Sequence, residues 1–171
     1  MKKILKYLLT ILFVILLDQL VKGMLLFAIT GAVPLFGNAW AIVKYPYLMG
    51  NVFNWFNIVF TWNPGTSFSM FRALGNTAPW IITLLTGIII GLIIYYLFKR
   101  ASDYERFPLA LIAGGALGNL IDRIRFGAVI DFIDWHVGDW HWPAFNFADV
   151  CIVVGVCLYI LNLLILKKKG K

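Results

Sequence analysis

Four apolar runs, each about the length that carries a helix across a bilayer, decide what this chain can fold into. They extend from Ile4 to Ile29, Pro79 to Phe98, Phe107 to Ile124 and Phe145 to Leu166. About 20 such residues cross the hydrocarbon core. Hydrophobic residues make up 61% of the 171 positions and charged residues 13%, where a soluble domain has about half and a quarter. This composition excludes disorder, a disulfide scaffold and an ordinary water-soluble core. The expected fold class is an α-helical integral membrane protein with four transmembrane helices and a small β-rich extracytoplasmic segment, forming one domain over residues 1–171.

The formal net charge of +7 is accounted for by topology. Lys2, Lys3 and Lys6 precede the first run, Lys99, Arg100 and Arg106 separate the second from the third, and Lys167, Lys168, Lys169 and Lys171 follow the last. Basic residues at the ends of spans mark cytoplasmic segments. Both termini and the 99–106 loop are therefore placed inside, with residues of about 30–77 and 126–145 outside. No basic surface is left over for nucleic acid. The first run opens like a secretory signal, but Asp18, Gln19 and Lys22 and then further apolar sequence follow where small residues would mark cleavage. It reads as a retained helix. Cys151 and Cys157 share one run at a spacing of six, a helical rise of about 9 Å that no disulfide tolerates.

In the first outer segment, Asn57 to Trp62 is rich in strand formers and Asn63-Pro64-Gly65 signals a turn, so a small sheet is expected at the outer leaflet. Trp40, Tyr45, Tyr47, Trp55 and Trp62, with Trp135, Trp140 and Trp142 in the second outer loop, suit an aromatic belt at headgroup level. Gly87 and Gly91, and Gly114 and Gly118, are four apart, the spacing that lets membrane helices pack closely. No internal repeat or low-complexity tract is evident.

The eight acids carry the chemistry. Asp103 and Glu105 fall in the cytoplasmic loop; Asp18, Asp122, Asp131, Asp134, Asp139 and Asp149 all fall toward the outer side. An ionisable group within a span is costly unless paired, so each such group is a functional candidate. Asp18 and Lys22 share a helix face at i, i+4 and either neutralise one another or a neighbouring helix's charge, or order groups that do chemistry. Gly115, Asn119 and Asp122 form a small and polar stripe facing protein or water, and Asp122 could simply be compensated by Arg123 and Arg125. Asn146 could cap the fourth helix, with Asp149 favourably placed in its first turn. Asp131, flanked by Ile130 and Phe132, has no partner within its own segment.

A loop of about twenty residues between the third and fourth spans can bring Asp131 and Asp149 to one point. Two adjacent carboxyls share a proton; one then activates water and the other protonates a carbonyl oxygen or leaving amine. Other constellations are weaker. His136 and His141 with Asp134 or Asp139 match no common zinc spacing. Ser67 and Ser69 have no base at a recognisable spacing, and there is no phosphate-binding glycine loop.

Five motifs follow in order: Asp18-Gln19-Leu20-Val21-Lys22; Asn63-Pro64-Gly65-Thr66-Ser67-Phe68-Ser69; Gly114 to Arg123; Val129-Ile130-Asp131-Phe132-Ile133-Asp134; and Phe145-Asn146-Phe147-Ala148-Asp149. Together, over about residues 4–166, they resemble bacterial lipoprotein signal peptidase, also called signal peptidase II. The resemblance implies a membrane aspartic endopeptidase that removes the signal peptide from prolipoproteins, cutting just before a diacylglyceryl-modified cysteine. On matching motifs Asp131 and Asp149 are the catalytic dyad. Asp18, Lys22, Asn63, Gly65, Gly115, Asn119, Asp122, Arg123 and Asn146 are supporting or substrate-binding positions. No cofactor and no metal are implied. The implied partners are diacylglyceryl prolipoproteins, membrane lipids and cyclic peptide inhibitors such as globomycin. The implied setting is a monomer in the bacterial cytoplasmic (inner) membrane, its site at the extracytoplasmic face under a small β-cradle and a closing loop. Ile130 and Ser67 depart mildly from the family pattern, and the stretch from Ala39 to Val52 is longer than expected.

Two rival classes make different demands. A proton-coupled carrier using Asp18, Lys22 and Asp122 would spread its acids through the bilayer depth and favour inverted repeats. A lipid-binding or assembly subunit would tolerate loss of either Asp131 or Asp149.

Overall fold

The computed structural model describes residues 2–65 and 77–169; Thr66, Ser67, Phe68 and Ser69 lie outside the described residues. In chain order the elements are α1 (Lys2–Thr30), α2 (Ala39–Ile42), β1 (Tyr47–Phe53), β2 (Phe56–Asn63), α3 (Ala78–Lys99), α4 (Asp103–Phe126), β3 (Val129–Val137), β4 (Trp140–His141) and α5 (Phe147–Lys169). The four long helices are those expected from the apolar runs, and all are long and apolar enough to cross a membrane.

Helix α4 starts four residues before its apolar run because Ser102 and Glu105 form a capping box. The Ser102 N–H and hydroxyl both donate to the Glu105 carboxylate, at 2.7 and 2.6 Å. Pro108 lies inside this helix and cannot donate to the Tyr104 carbonyl one turn back. Asn162 of α5 donates to that carbonyl instead, at 2.7 Å, so the proline is accommodated without leaving the acceptor unmet.

The described residues form two compact units. One comprises Met1–Asp18, Thr86–Gly118 and Phe147–Lys171; the other comprises Gln19–Leu85 and Asn119–Asn146. In the first, Tyr7, Ile11, Leu97, Leu109, Ala110 and Ala113 make a buried core, while leucines and isoleucines such as Leu12, Leu92 and Leu164 point outward. Outward apolar side chains are the expected surface of helices solvated by lipid. Glycine lets the helices of this unit approach. A Cβ on Gly114 would lie 2.8 Å from Val14, one on Gly118 2.7 Å from the Asp18 carboxylate, and one on Gly115 would collide with the Ala148 carbonyl. Gly87 and Gly91, which share the same spacing, meet nothing within 4 Å among the described residues; spacing alone does not distinguish a packed glycine stripe from an open one.

The second unit holds a four-stranded antiparallel sheet in the order β1-β2-β3-β4. The strand expected over residues 57–62 is the centre of β2. Strand β3 occupies what the sequence reading treats as a returning loop. Its first four residues are all buried, so the alternation that advertises a half-exposed strand is missing. Register pairs Thr61 with Asp131, Asn57 with Asp134 and Asn63 with Val129. Beneath the sheet, Leu26, Val43, Phe60, Trp62, Phe126 and Ile130 form the core, and the Trp62 indole N–H donates to the Val43 carbonyl at 3.0 Å. The turn from α4 into β3 is made by Gly127, whose φ of +77° suits a helix C-terminus and whose N–H donates to the Arg123 carbonyl.

These packing contrasts give a test. A Cβ on Gly155 would lie 2.7 Å from the Ile112 side chain and 2.8 Å from the Pro108 carbonyl oxygen, the latter backbone that cannot rotate away. Gly155→Ala should destabilise the protein in detergent by about 1–3 kcal/mol, whereas Gly87→Ala should be neutral or slightly stabilising, reflecting alanine's helix propensity. Thermal unfolding midpoints of the two variants decide this.

Candidate active site

Lys22 and Asp122 are almost fully buried, at 1% and 0% exposure, and their charged atoms are 2.8 Å apart. Of the alternatives left open by the sequence, Lys22 thus neutralises a charge on another helix. Asp122 is compensated by a lysine from α1 as well as by uncharged donors: Gln19 Nε2 donates to its Oδ1 at 2.9 Å and the Ile130 N–H to its Oδ2 at 3.2 Å. Arg125 donates to Gln19 Oε1 at 3.0 Å and to the carbonyls of Pro34 and Leu35.

From this ion pair a line of carboxamides leads to Asp131. Lys22 Nζ donates to Asn119 Oδ1 at 2.9 Å, and the same oxygen accepts from Asn146 Nδ2 at 3.0 Å. Asn146 Nδ2 also lies 2.7 Å from Asp131 Oδ1 and 3.2 Å from the Ile130 carbonyl. The other Asp131 oxygen accepts from Asn63 Nδ2 at 2.9 Å. The Asn63 Oδ1 in turn accepts from the Gly65 N–H at 2.8 Å, a turn that needs glycine because its φ is +76°. A side chain on Gly65 would also approach Arg123. Buried at 1% exposure, Asp131 is therefore held at both oxygens by neutral amides, one from the β2 end and one from the residue preceding α5. These two amides fix the orientation of the carboxylate.

Asp149 sits in the first turn of α5. The N-terminus of that helix is capped within its own unit by Asp18, fully buried, whose Oδ1 accepts from the Ala148 N–H at 3.0 Å. The missing side chains of Gly115 and Gly118 make room for Ala148 and Asp18. Asp18 thus has a structural role in fixing the turn that bears Asp149. The structure brings Lys22, Asn63, Asn119, Asp122, Asp131 and Asn146 into one network, with Gly65 and Arg123 at its edge, and groups Asp18, Gly115 and Ala148 at the start of α5.

Sequence reasoning missed Gln19 as a member of the network, although it stands between Asp18 and Lys22 in the first motif, and it set Arg125 beside Asp122 without its bonds to Gln19, Pro34 and Leu35. It also missed what Asp134 does. The carboxylate accepts from Asn57 Nδ2 at 2.9 Å and meets His141 Nδ1 at 2.8 Å, while the His141 ring stacks on His136 with centroids 4.8 Å apart. The histidines considered as metal ligands are thus engaged within the sheet. Burial pushes the Asp134 carboxyl up, but hydrogen bonds from His141 and Asn57, with imidazole charge nearby, outweigh this and hold it below its ordinary value.

Four helices long and apolar enough to cross a membrane, in a chain that also buries a network of acids and amides, define a polytopic membrane protein. Residues 10–165 match the family model for signal peptidase (SPase) II. The lipoprotein signal peptidase of Anaplasma phagocytophilum (strain HZ) is 49% identical over 111 residues, 64% of this chain and 69% of that one. The lipoprotein signal peptidase of Paraburkholderia phymatum is 41% identical over 151 residues, 87% of this chain and 81% of that one. Two solved bacterial membrane enzyme structures, obtained by the in meso method, are similar across almost the whole chain. One has a TM-score of 0.71 at 27% identity, covering 97% of this chain and 92% of the other; the second has 0.69 at 28%, covering 93% and 92%. The chain belongs to the signal peptidase II family, a family of proteases.

Two consequences are measurable. Lys22→Met leaves Asp122 buried without its counter-ion and should lower stability by about 3–5 kcal/mol. The double variant Lys22→Met/Asp122→Asn, which removes the orphaned charge and keeps an acceptor for one of the two donors Gln19 and Ile130, should be more stable than the single variant in denaturant titrations. For Asp134, a native pKa below the unfolded value stabilises the fold above about pH 4 and ceases to do so as pH falls through the native value. Asp134→Asn should therefore melt below the wild type at neutral pH, and the gap should close as the solution is acidified below about pH 4.

Proposed function

We propose that Asp131 and Asp149 form the catalytic dyad of a membrane aspartic endopeptidase that removes signal peptides from diacylglyceryl-modified prolipoproteins. The observation that carries this reading is the Asp131 carboxylate, buried and aligned at both oxygens by Asn63 and Asn146, in a chain of the signal peptidase II family. The family names its relatives by the processing of lipoproteins. Further support is that Asn146, which orients Asp131, precedes Asp149 by three residues, and that Asp18 caps the turn in which Asp149 lies.

In the proposed reaction one carboxylate takes a proton from water as its oxygen bonds to the scissile carbonyl carbon. The other carboxyl donates its proton to the carbonyl oxygen, giving a neutral gem-diol. Collapse re-forms the carbonyl and breaks the C–N bond, with a proton passed to the departing amine of the lipidated cysteine. General acid–base steps of this kind contribute about 10²–10⁴-fold each. The Lys22–Asp122 pair, through Asn119 and Asn146, serves to position Asp131.

Basic residues beside the spans orient both termini toward the cytoplasm and put the dyad at the extracytoplasmic face. The scissile bond of a membrane-anchored substrate would be met there without withdrawing lipid into water. The signal helix and acyl chains would provide most of the affinity, at about 0.8 kcal/mol per buried CH₂. Globomycin-like cyclic peptides would compete for this site, and the protein would act as a monomer.

Asp131→Asn and Asp149→Asn should insert and fold normally yet cleave a lipidated prolipoprotein at least about 10²-fold more slowly than wild type, read by gel shift with purified protein. Full turnover by either variant removes the dyad. Chelators should leave wild-type activity unchanged; a loss reversed by zinc would instead implicate His136 and His141.

A further inference from the structure

The tips of the two β-hairpins form an open pocket of about 270 Å³ lined by Trp55, Trp135, Trp140 and Trp142, with His136 and Val137. Each of the four indoles is more than half exposed, yet the backbone that carries them is fixed. The His136 N–H donates to the Trp55 carbonyl at 3.1 Å and the Trp142 N–H to the Trp135 carbonyl at 2.8 Å, while Val137 pairs with Trp140 across the final hairpin. Neighbouring rings brace the walls: Phe53 stacks on Trp55 at 5.2 Å, and Phe145 meets Trp135 edge-on at 5.4 Å.

Charge selects what such a cavity can hold. In a chain of net charge +7, the segments that build it carry no lysine or arginine at all. Residues 45–65 are uncharged, and residues 126–146 bear only Asp131, Asp134 and Asp139 among lysine, arginine, aspartate and glutamate. Asp139 is exposed at the turn between Val137 and Trp140. Indole faces attract cations through their quadrupole, most strongly those whose charge is spread over carbon and only weakly hydrated. An aromatic belt that merely floats at the headgroup level needs neither convergence of four rings on one cavity nor two segments free of lysine and arginine to build it.

From this we infer that the cavity is a cation–π site for the ammonium of a zwitterionic phospholipid headgroup, distinct from the Asp131 network. A membrane protein's own lipids supply this group at high local density, and the four rings provide a preformed receptor for it.

The test uses the full chain in a non-ionic detergent, labelled at its indole nitrogens and titrated with choline chloride. Saturable shifts of the Trp140 and Trp142 indole signals are expected. The uncharged isostere 3,3-dimethylbutan-1-ol should bind roughly tenfold more weakly, and Trp140→Ala should weaken choline binding by roughly three- to tenfold. If Trp140→Ala does not fold, Trp140→Phe keeps a ring and should still show a measurable loss. In a second arm, nanodiscs of phosphatidylcholine should shift the same signals and block added choline, whereas nanodiscs of phosphatidylglycerol should not. Equal binding of the isostere, or indole signals unmoved by choline, overturns the cation site. Choline binding that is indifferent to the lipid headgroup overturns the lipid assignment.

Discussion

A lysine and an aspartate with almost no exposed surface, 2.8 Å apart, impose the geometry on which the sheet-bearing unit depends. In low dielectric neither charge is tolerable alone, and the pair is favourable only if the remaining donors and acceptors are satisfied. That requirement recruits Gln19, Asn119 and the Ile130 N–H. Each recruit ties a different part of the chain to the pair: α1, the last two turns of α4, and the first residues of β3. Because Ile130 is fixed by Asp122, the side chain of the next residue, Asp131, has a determined origin. Asn119, bonded to Lys22, also bonds the Asn146 amide that meets Asp131. The ion pair thus acts on the candidate catalytic group through Asn119 and Asn146.

The other unit solves an analogous problem with less charge. A helix that begins in apolar surroundings exposes N–H groups it cannot bond, and α5 begins with Phe147 and Ala148. The buried Asp18 carboxylate accepts from Ala148 and benefits from the positive end of the helix dipole. Gly115 and Gly118 are the complement of that arrangement, since a methyl group on either would enter the space the cap or its carbonyl occupies. An acid that looks in sequence like half of a helical ion pair is therefore also a cap. Its i+4 neighbour Lys22 serves the other unit.

Much of this was legible from the residues. The four spans follow from apolar run length, and their ends differ from the helices by at most four residues at any boundary. The largest shift, at α4, has a visible cause in the Ser102–Glu105 box. The stripe of Gly115, Asn119 and Asp122 reads as facing protein or water, because a charged residue on a membrane helix has few other options, and Asn119 and Asp122 do meet protein. Strand β3 was not legible as a strand, because burial of successive residues erases the period of two. Gly87 and Gly91 match a packing motif but meet no neighbour among the described residues, since spacing describes one helix and packing requires a partner. Gln19 and the partners of Arg125 were missed because these bonds join groups more than 80 residues apart.

The sequence by itself determined that this chain enters a bilayer, where its helices begin and end, and which few polar groups must be accounted for. Local energetics decide those matters, through hydrophobic transfer, capping and the charge beside each span. Only the tertiary structure decided which partners those groups take: Lys22 with Asp122, Asp18 with the start of α5, Asp131 between two asparagines, and Asp134 with His141. The physical reason is that a buried charge fixes the need for a partner but not its identity. Several donors of similar chemistry compete for each acceptor, and which one arrives depends on strand register, on the missing side chains of Gly115 and Gly118, and on contacts between residues up to 130 positions apart.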